Sequence, residues 1–151
     1  MKVLIREAAA DDLSAVYQLI CEMEDEKLPE TEFAYGYEAM SDDQNHVILV
    51  AELNGQVVGT LHMRMEYQLH HAARIAEIME LAVLDGFRSQ GIGRQLLAAA
   101  SETARKCLCE QLEVGSHKKR VCAHRFYQRE SMKKTHDKFT LRLMNAKCDF
   151  Y

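Results

Sequence analysis

The chain has 151 residues, 48% of them hydrophobic, and its 19 Lys+Arg set against 23 Asp+Glu leave a formal net charge of -4. That length suits one compact domain able to bury most of its unfolded surface, and the acidic balance excludes a general nucleic-acid binder, which would carry a strongly basic face. The longest apolar run is far short of a membrane span, and Arg6 and Glu7 cut the apolar start too early for a signal peptide, so a soluble cytoplasmic protein is expected.

One proline, Pro29, and no Ser/Gly-rich tract leave no linker or repeat, so residues 1–151 read as a single domain with 144–151 as a short extension. The five cysteines include no Cys-x-x-Cys and read as reduced thiols. Cys122 is the best placed of them for nucleophilic catalysis, although its helical setting favours packing.

In chain order, residues 2–7 alternate as a first strand, and 11–24 set Leu13, Val16, Tyr17, Ile20 and Met23 on one helical face. Residues 32–40 suit a short second helix. Residues 46–53 read as a buried strand closed by Asn54-Gly55, a strong hairpin signal. In the next strand Leu61, Met63, Met65, Tyr67 and Leu69 alternate with His62, Arg64, Glu66, Gln68 and His70, so one face is wet or functional.

Residues 75–84 form an aliphatic strand ended by the turn signal Asp85-Gly86. From Ile92 the apolar spacing becomes helical. Between them stands Arg88-Ser89-Gln90-Gly91-Ile92-Gly93. A loop that opens a helix presents free backbone N–H groups and the positive end of the dipole to an anion, and glycine lets that backbone approach closely. Arg88 and Arg94 can add charge-assisted bonds. A Walker A tripeptide is absent, and the third glycine of a dinucleotide fingerprint would fall at Leu96. Later strands are expected at 112–115 and 139–143, with a helix carrying Ala123 to Tyr127 between them, so the sheet is mixed.

Arg88, Gly91 and Gly93, together with Ala123-His124-Arg125-Phe126-Tyr127, resemble the two signature segments of the GCN5-related N-acetyltransferase (GNAT) family. The resemblance implies an α/β fold with a central mixed, mostly antiparallel sheet, splayed between strands four and five and flanked by about four helices. It implies acetyl-CoA as co-substrate. Leu81, Ala82 and Val83 would bond the pantetheine arm; Arg88, Ser89, Gln90, Gly91, Ile92, Gly93 and Arg94 would hold the pyrophosphate; His117, Arg120 and His124 would stand nearby. Two departures bear on coenzyme affinity: Glu130-Ser131-Met132 replaces a Gly-aromatic pair, and His117 stands where an Asn is usual.

The chemistry needs a base for an ammonium and an acid for the departing thiolate. Glu77 is the favoured base and Glu80 the second choice, because a carboxylate in an apolar strand needs a reason to be there. Strict alternation would put the two on opposite faces, a rule that a bulge, frequent near sites, would break. Tyr127 is the acid implied by its motif.

Stretches such as Leu69-His70-His71 and Glu77-Ile78 with Glu80-Leu81 resemble the branch of the family that acts on short aminoalkylphosphonates. Arg64, Arg74 and one of His70 and His71 would then hold the phosphonate, and a divalent cation could join one histidine and a carboxylate there. Adjacent histidines on an extended chain point apart, so the pair alone makes no metal site, and none is assigned. The acidic run around 22–32 suits a polyamine better than a phosphonate; an amino sugar, an amino acid and a non-catalytic acyl-CoA-binding role complete the alternatives. The family's habit implies a homodimer.

Overall fold

The computed structural model describes residues 2–144. Its elements run β1 (Leu4–Glu7), a 3-10 turn (Ala10–Asp12), α1 (Leu13–Glu24), α2 (Glu30–Ser41), β2 (His46–Leu53), β3 (Gln56–Gln68), β4 (Ala73–Val83), a second 3-10 turn (Asp85–Phe87), α3 (Ile92–Lys106), β5 (Gln111–Val114) and α4 (Val121–Arg129). They fall into two compact units that part between Val114 and Gly115.

The first unit is a five-stranded sheet in sequential order. Neighbours are antiparallel from β1 to β4, and β5 joins β4 in parallel. Antiparallel pairs need only short turns, whereas the parallel step needs a crossover, which α3 supplies. At the β2–β3 hairpin, Asn54 and Gly55 both take positive φ, 52° and 80°, as a tight two-residue turn of matching twist requires.

Helices cover both faces of the sheet. Val16, Leu19 and Ile20 follow the helical period on α1, and they pack with Tyr37 of α2 onto Val50 and Ala82. On the other face α3 buries Ile92, Leu96, Leu97, Ala100 and Ala104. Gly59 lets that helix come close: a Cβ there would meet Leu96 Cδ1 at 3.1 Å and Ile92 Cγ2 at 3.2 Å. The start of α3, and the loop before it, are thereby seated against the middle of the sheet. None of the described helices is long and apolar enough to cross a membrane.

In the second unit α4 is the regular element among the described residues. The strand expected at 139–143 does not form: these residues have no regular structure, and Phe139, Leu141 and Leu143 are exposed. Their alternation meets no strand within the described part of that unit, and a strand without a partner leaves its ladder groups unsatisfied.

Candidate active site on β3 and β4

Alternation along β4 is interrupted. Met63 of β3 pairs with Ile78 and His62 with Glu80, so Met79 is an extra residue with no partner, a β-bulge. Arg64 pairs with Glu77 and His62 with Glu80, and Arg64 and His62 are two residues apart on β3. Both carboxylates therefore share one face, which corrects the expectation that they would point apart. On β2 the same ladder rows hold His46, Ile48 and Val50, so this is the face that α1 and α2 cover further along.

Each carboxylate has a different partner. Arg64 Nη2 donates to Glu77 Oε1 at 2.9 Å and lies 3.3 Å from Glu66 Oε1, while the buried Arg64 Nε has no hydrogen-bond partner among the described residues. Glu80 Oε2 lies 2.7 Å from His62 Nδ1, and His62 Nε2 lies 2.9 Å from His46 Nδ1. His62 is only 8% exposed. Burial first, and then the neighbouring His62, hold the His46 imidazole below its usual proton affinity, against an opposing pull from Asp43. Sequence reasoning missed both histidines; the signal that could have found them was the polar phase of β3 running opposite the two acidic residues of β4.

The expected coenzyme positions are built by main chain. The β4–β5 ladder ends at Ile78 opposite Val114, while β4 runs on to Val83. Leu81, Ala82 and Val83 pair with Leu61, Thr60 and Gly59 on one side, and no ladder partner faces them on the β5 side among the described residues. That free stretch fits an extended amide-bearing arm. In the loop before α3, Ser89 and Gly91 have φ of 62° and 82°. No side chain caps α3, so the first-turn N–H groups of Ile92, Gly93 and Arg94 fit a phosphate.

Arg88 is engaged elsewhere in this structure. Its Nε donates to the Val83 carbonyl at 3.0 Å, and its other nitrogens lie 3.3 Å from Asp85 Oδ1 and 3.4 Å from Glu22 Oε1. Gln90 Nε2 donates to the Gly86 carbonyl at 3.4 Å.

Within the second unit, Arg120 is the N-cap of α4, His117 Nδ1 accepts the Lys119 N–H at 3.1 Å, and His124 Nε2 lies 3.0 Å from the His117 carbonyl. Burial raises the Tyr127 phenol above its ordinary pKa, against the pull of Arg120, so the hydroxyl keeps its proton at neutral pH. Cys122 is exposed, and the four described cysteines are free thiols.

Of the remaining expected substrate residues, Arg74 pairs with Tyr67 in the opposite phase of the ladder, while His71 reaches Glu113, the β5 partner of Glu77. His70 and His71 occupy the β3–β4 turn, and their rings lie 4.3 Å apart because the backbone there turns instead of extending. His71 Nε2 is 3.7 Å from Glu113 Oε2. The described residues hold no group of three His, Cys, Asp or Glu placed to ligate a metal. Arg74 donates to the Cys107 carbonyl at 3.1 Å and to Asn45 Oδ1 at 2.9 Å, tying the end of α3 to the sheet.

Residues 13–131 match the family model described as Acetyltransferase (GNAT) family. The chain is 44% identical over 136 residues to an aminoalkylphosphonate N-acetyltransferase of Salmonella typhimurium, covering 90% of this chain and 88% of that one. Among solved structures it resembles a transcriptional regulator from Bacillus halodurans C-125, with a TM-score of 0.86 and 26% identity over 94% of this chain and 100% of that one. An aminoglycoside N-acetyltransferase in complex with CoA shares the fold, with a TM-score of 0.86 at 15% identity over 93% and 94% of the two chains.

Proposed function

The chain belongs to the GNAT family and is an acetyl-CoA-dependent N-acetyltransferase, and from that premise we propose that its acceptor is the primary amine of a short aminoalkylphosphonate. The observation that carries this reading is the pair of carboxylates that the Met79 bulge sets on one face beside Arg64. The relative of 44% identity supports the substrate class. The buried Arg64 Nε supports it too, because a free guanidinium donor suits an oxyanion.

The bound thioester supplies the acetyl group. The chain's own residues supply the rest: Glu77 or Glu80 takes a proton from the ammonium, so that the nitrogen lone pair is free to attack, and Tyr127 gives a proton to the departing thiolate. The acid role of Tyr127 is supported by its motif and by the raised pKa that keeps the phenol protonated. Leu81 to Val83 and the start of α3 hold the coenzyme through main chain; Arg88 exchanges its carboxylate partners for phosphate. His117, Arg120 and His124 flank the coenzyme; His70, His71 and Arg74 stay substrate-side assignments. We also propose a cytoplasmic homodimer, which light scattering on the purified chain tests.

The test is CoA-thiol release against 2-aminoethylphosphonate, aminomethylphosphonate, spermidine and glucosamine, with and without added divalent cation. Preference for the phosphonates is expected. Preference for spermidine would replace the acceptor class and credit the acidic run of 22–32 instead; silence throughout would favour an acyl-CoA-binding protein.

A further inference from the structure

Glu80, His62 and His46 form one line of hydrogen bonds running from β4 across β3 to β2. Its direction follows from chemistry. An ionised carboxylate can only accept, so His62 Nδ1 carries its hydrogen toward Glu80. A neutral ring then leaves Nε2 bare, and His46 must donate to it from Nδ1. His46 Nε2 is left as the open end, 3.9 Å from Asp43 Oδ2.

We propose that Glu80 is the group that takes the amine's proton and that His62 and His46 are positioning residues, a directed pair of donors that holds the carboxylate for that step. The proposal rests on the acetyltransfer reading and deepens it. Glu80 Oε2 is occupied by the His62 N–H, so its second oxygen is the one offered to substrate. There the ammonium N–H bond breaks and an O–H bond forms; the electron pair stays on nitrogen, and the charges +1 and -1 both become zero. Glu77 is the poorer choice. Protonating it would cancel the charge that Arg64 pairs with, whereas an imidazole beside Glu80 keeps a hydrogen bond in either state.

The same line makes the base sensitive to acid at a distance. A proton arriving on His46 Nε2 turns that ring into an imidazolium whose Nδ1–H still donates to His62, and the positive charge placed on the line weakens Glu80 as a proton acceptor. The groups facing His46 are His62, Asp43, Arg64 and Glu66. Burial and the two cationic or imidazole neighbours disfavour that proton more than Asp43 and Glu66 favour it, so the line stays directed toward Glu80 at neutral pH.

Two measurements test this. The first is the pH profile of kcat/KM for the wild type, His46→Gln, His62→Gln, Glu77→Gln and Glu80→Gln, each first shown to bind CoA. Both histidine variants should lower kcat by about tenfold or more with KM for acetyl-CoA unchanged, and both should displace the acid limb; Glu80→Gln should lose more than Glu77→Gln. Unmoved acid limbs, or a greater loss in Glu77→Gln, would overturn the proposal. The second is side-chain 15N NMR of the histidines in the free protein above pH 7, which needs no turnover. Hydrogen on Nδ1 of both His62 and His46 is expected; hydrogen on Nε2 of both would overturn the line whether or not any amine is acetylated.

Discussion

The face of the sheet beneath α1 and α2 has two halves made from the same three strands. In one, Val50, Thr60 and Ala82 lie in a row and are sealed by the two helices. Thr60 hides its hydroxyl by donating to the Leu49 carbonyl at 2.8 Å. In the other, the rows His46–Arg64–Glu77 and Ile48–His62–Glu80 carry five ion-pairing or titratable side chains, two of them linked as a histidine pair. The same three strands pair antiparallel in both halves, so strand pairing alone does not make the site. What differs is the cover and the extra residue at Met79, which turns a second carboxylate toward the open half. Where helices pack, burial stabilises the fold; where they do not, the same strands can hold charge in partial contact with water.

Removing Met79 strikes that difference hardest. Its deletion restores plain alternation and drives Glu77 or Glu80 into the face that α3 covers, among Leu61, Met63 and Ile78. A loss of about 3–5 kcal/mol is expected for a carboxylate parted from its partner and buried. An unchanged urea midpoint would show that no such reversal occurs.

Leu19→Ala should cost about 2–5 kcal/mol, because Leu19 is fully packed in the sealed half. Its acid limb in kcat/KM should stay where the wild type's is. A moved limb would mean that the two halves are not independent.

A third polar cluster serves as a control, since it is structural. Asp12, just before α1, accepts from Arg6 at 2.7 and 3.0 Å and from the Ala9 N–H at 2.7 Å. Arg6 first, then the Ala9 N–H, hold its pKa below the ordinary 3.8 despite burial. The unfolded chain therefore takes up this proton more readily, so the contribution is present above about pH 4 and is lost as pH falls toward the folded value. Asp12→Asn should cost about 1–3 kcal/mol at pH 7 and should flatten the fall in stability below pH 4, with no effect on turnover by the folded enzyme. Smallest is Glu22→Gln, which loosens an exposed contact to Arg88: under about 1 kcal/mol in stability, with CoA bound somewhat more tightly in calorimetry as Arg88 is released.

Much of the frame was legible because local chemistry wrote it. Asn54-Gly55 can do little but turn a hairpin, and the switch from strand to helical spacing across Gly91 located the start of α3. The bulge was not legible: Ile78-Met79-Glu80 contains no glycine or proline, and only pairing with β3 shows which residue is extra. The histidine line was hidden for a related reason, since His46 and His62 are sixteen positions apart and meet only through register. In 139–143 the alternation was real but had no strand to pair with among the described residues of its unit. Arg88 stands in the loop before α3, and its carboxylate partners at Glu22 and Asp85 come from packing that spacing does not encode.

The most direct test of the open half as the seat of chemistry is the Glu77→Gln/Glu80→Gln double variant, assayed for CoA-thiol release with 2-aminoethylphosphonate and for CoA affinity by calorimetry. The account predicts a fall in kcat of about a hundredfold or more with CoA affinity within a few-fold of wild type. Turnover near the wild-type rate would contradict it and place the base elsewhere.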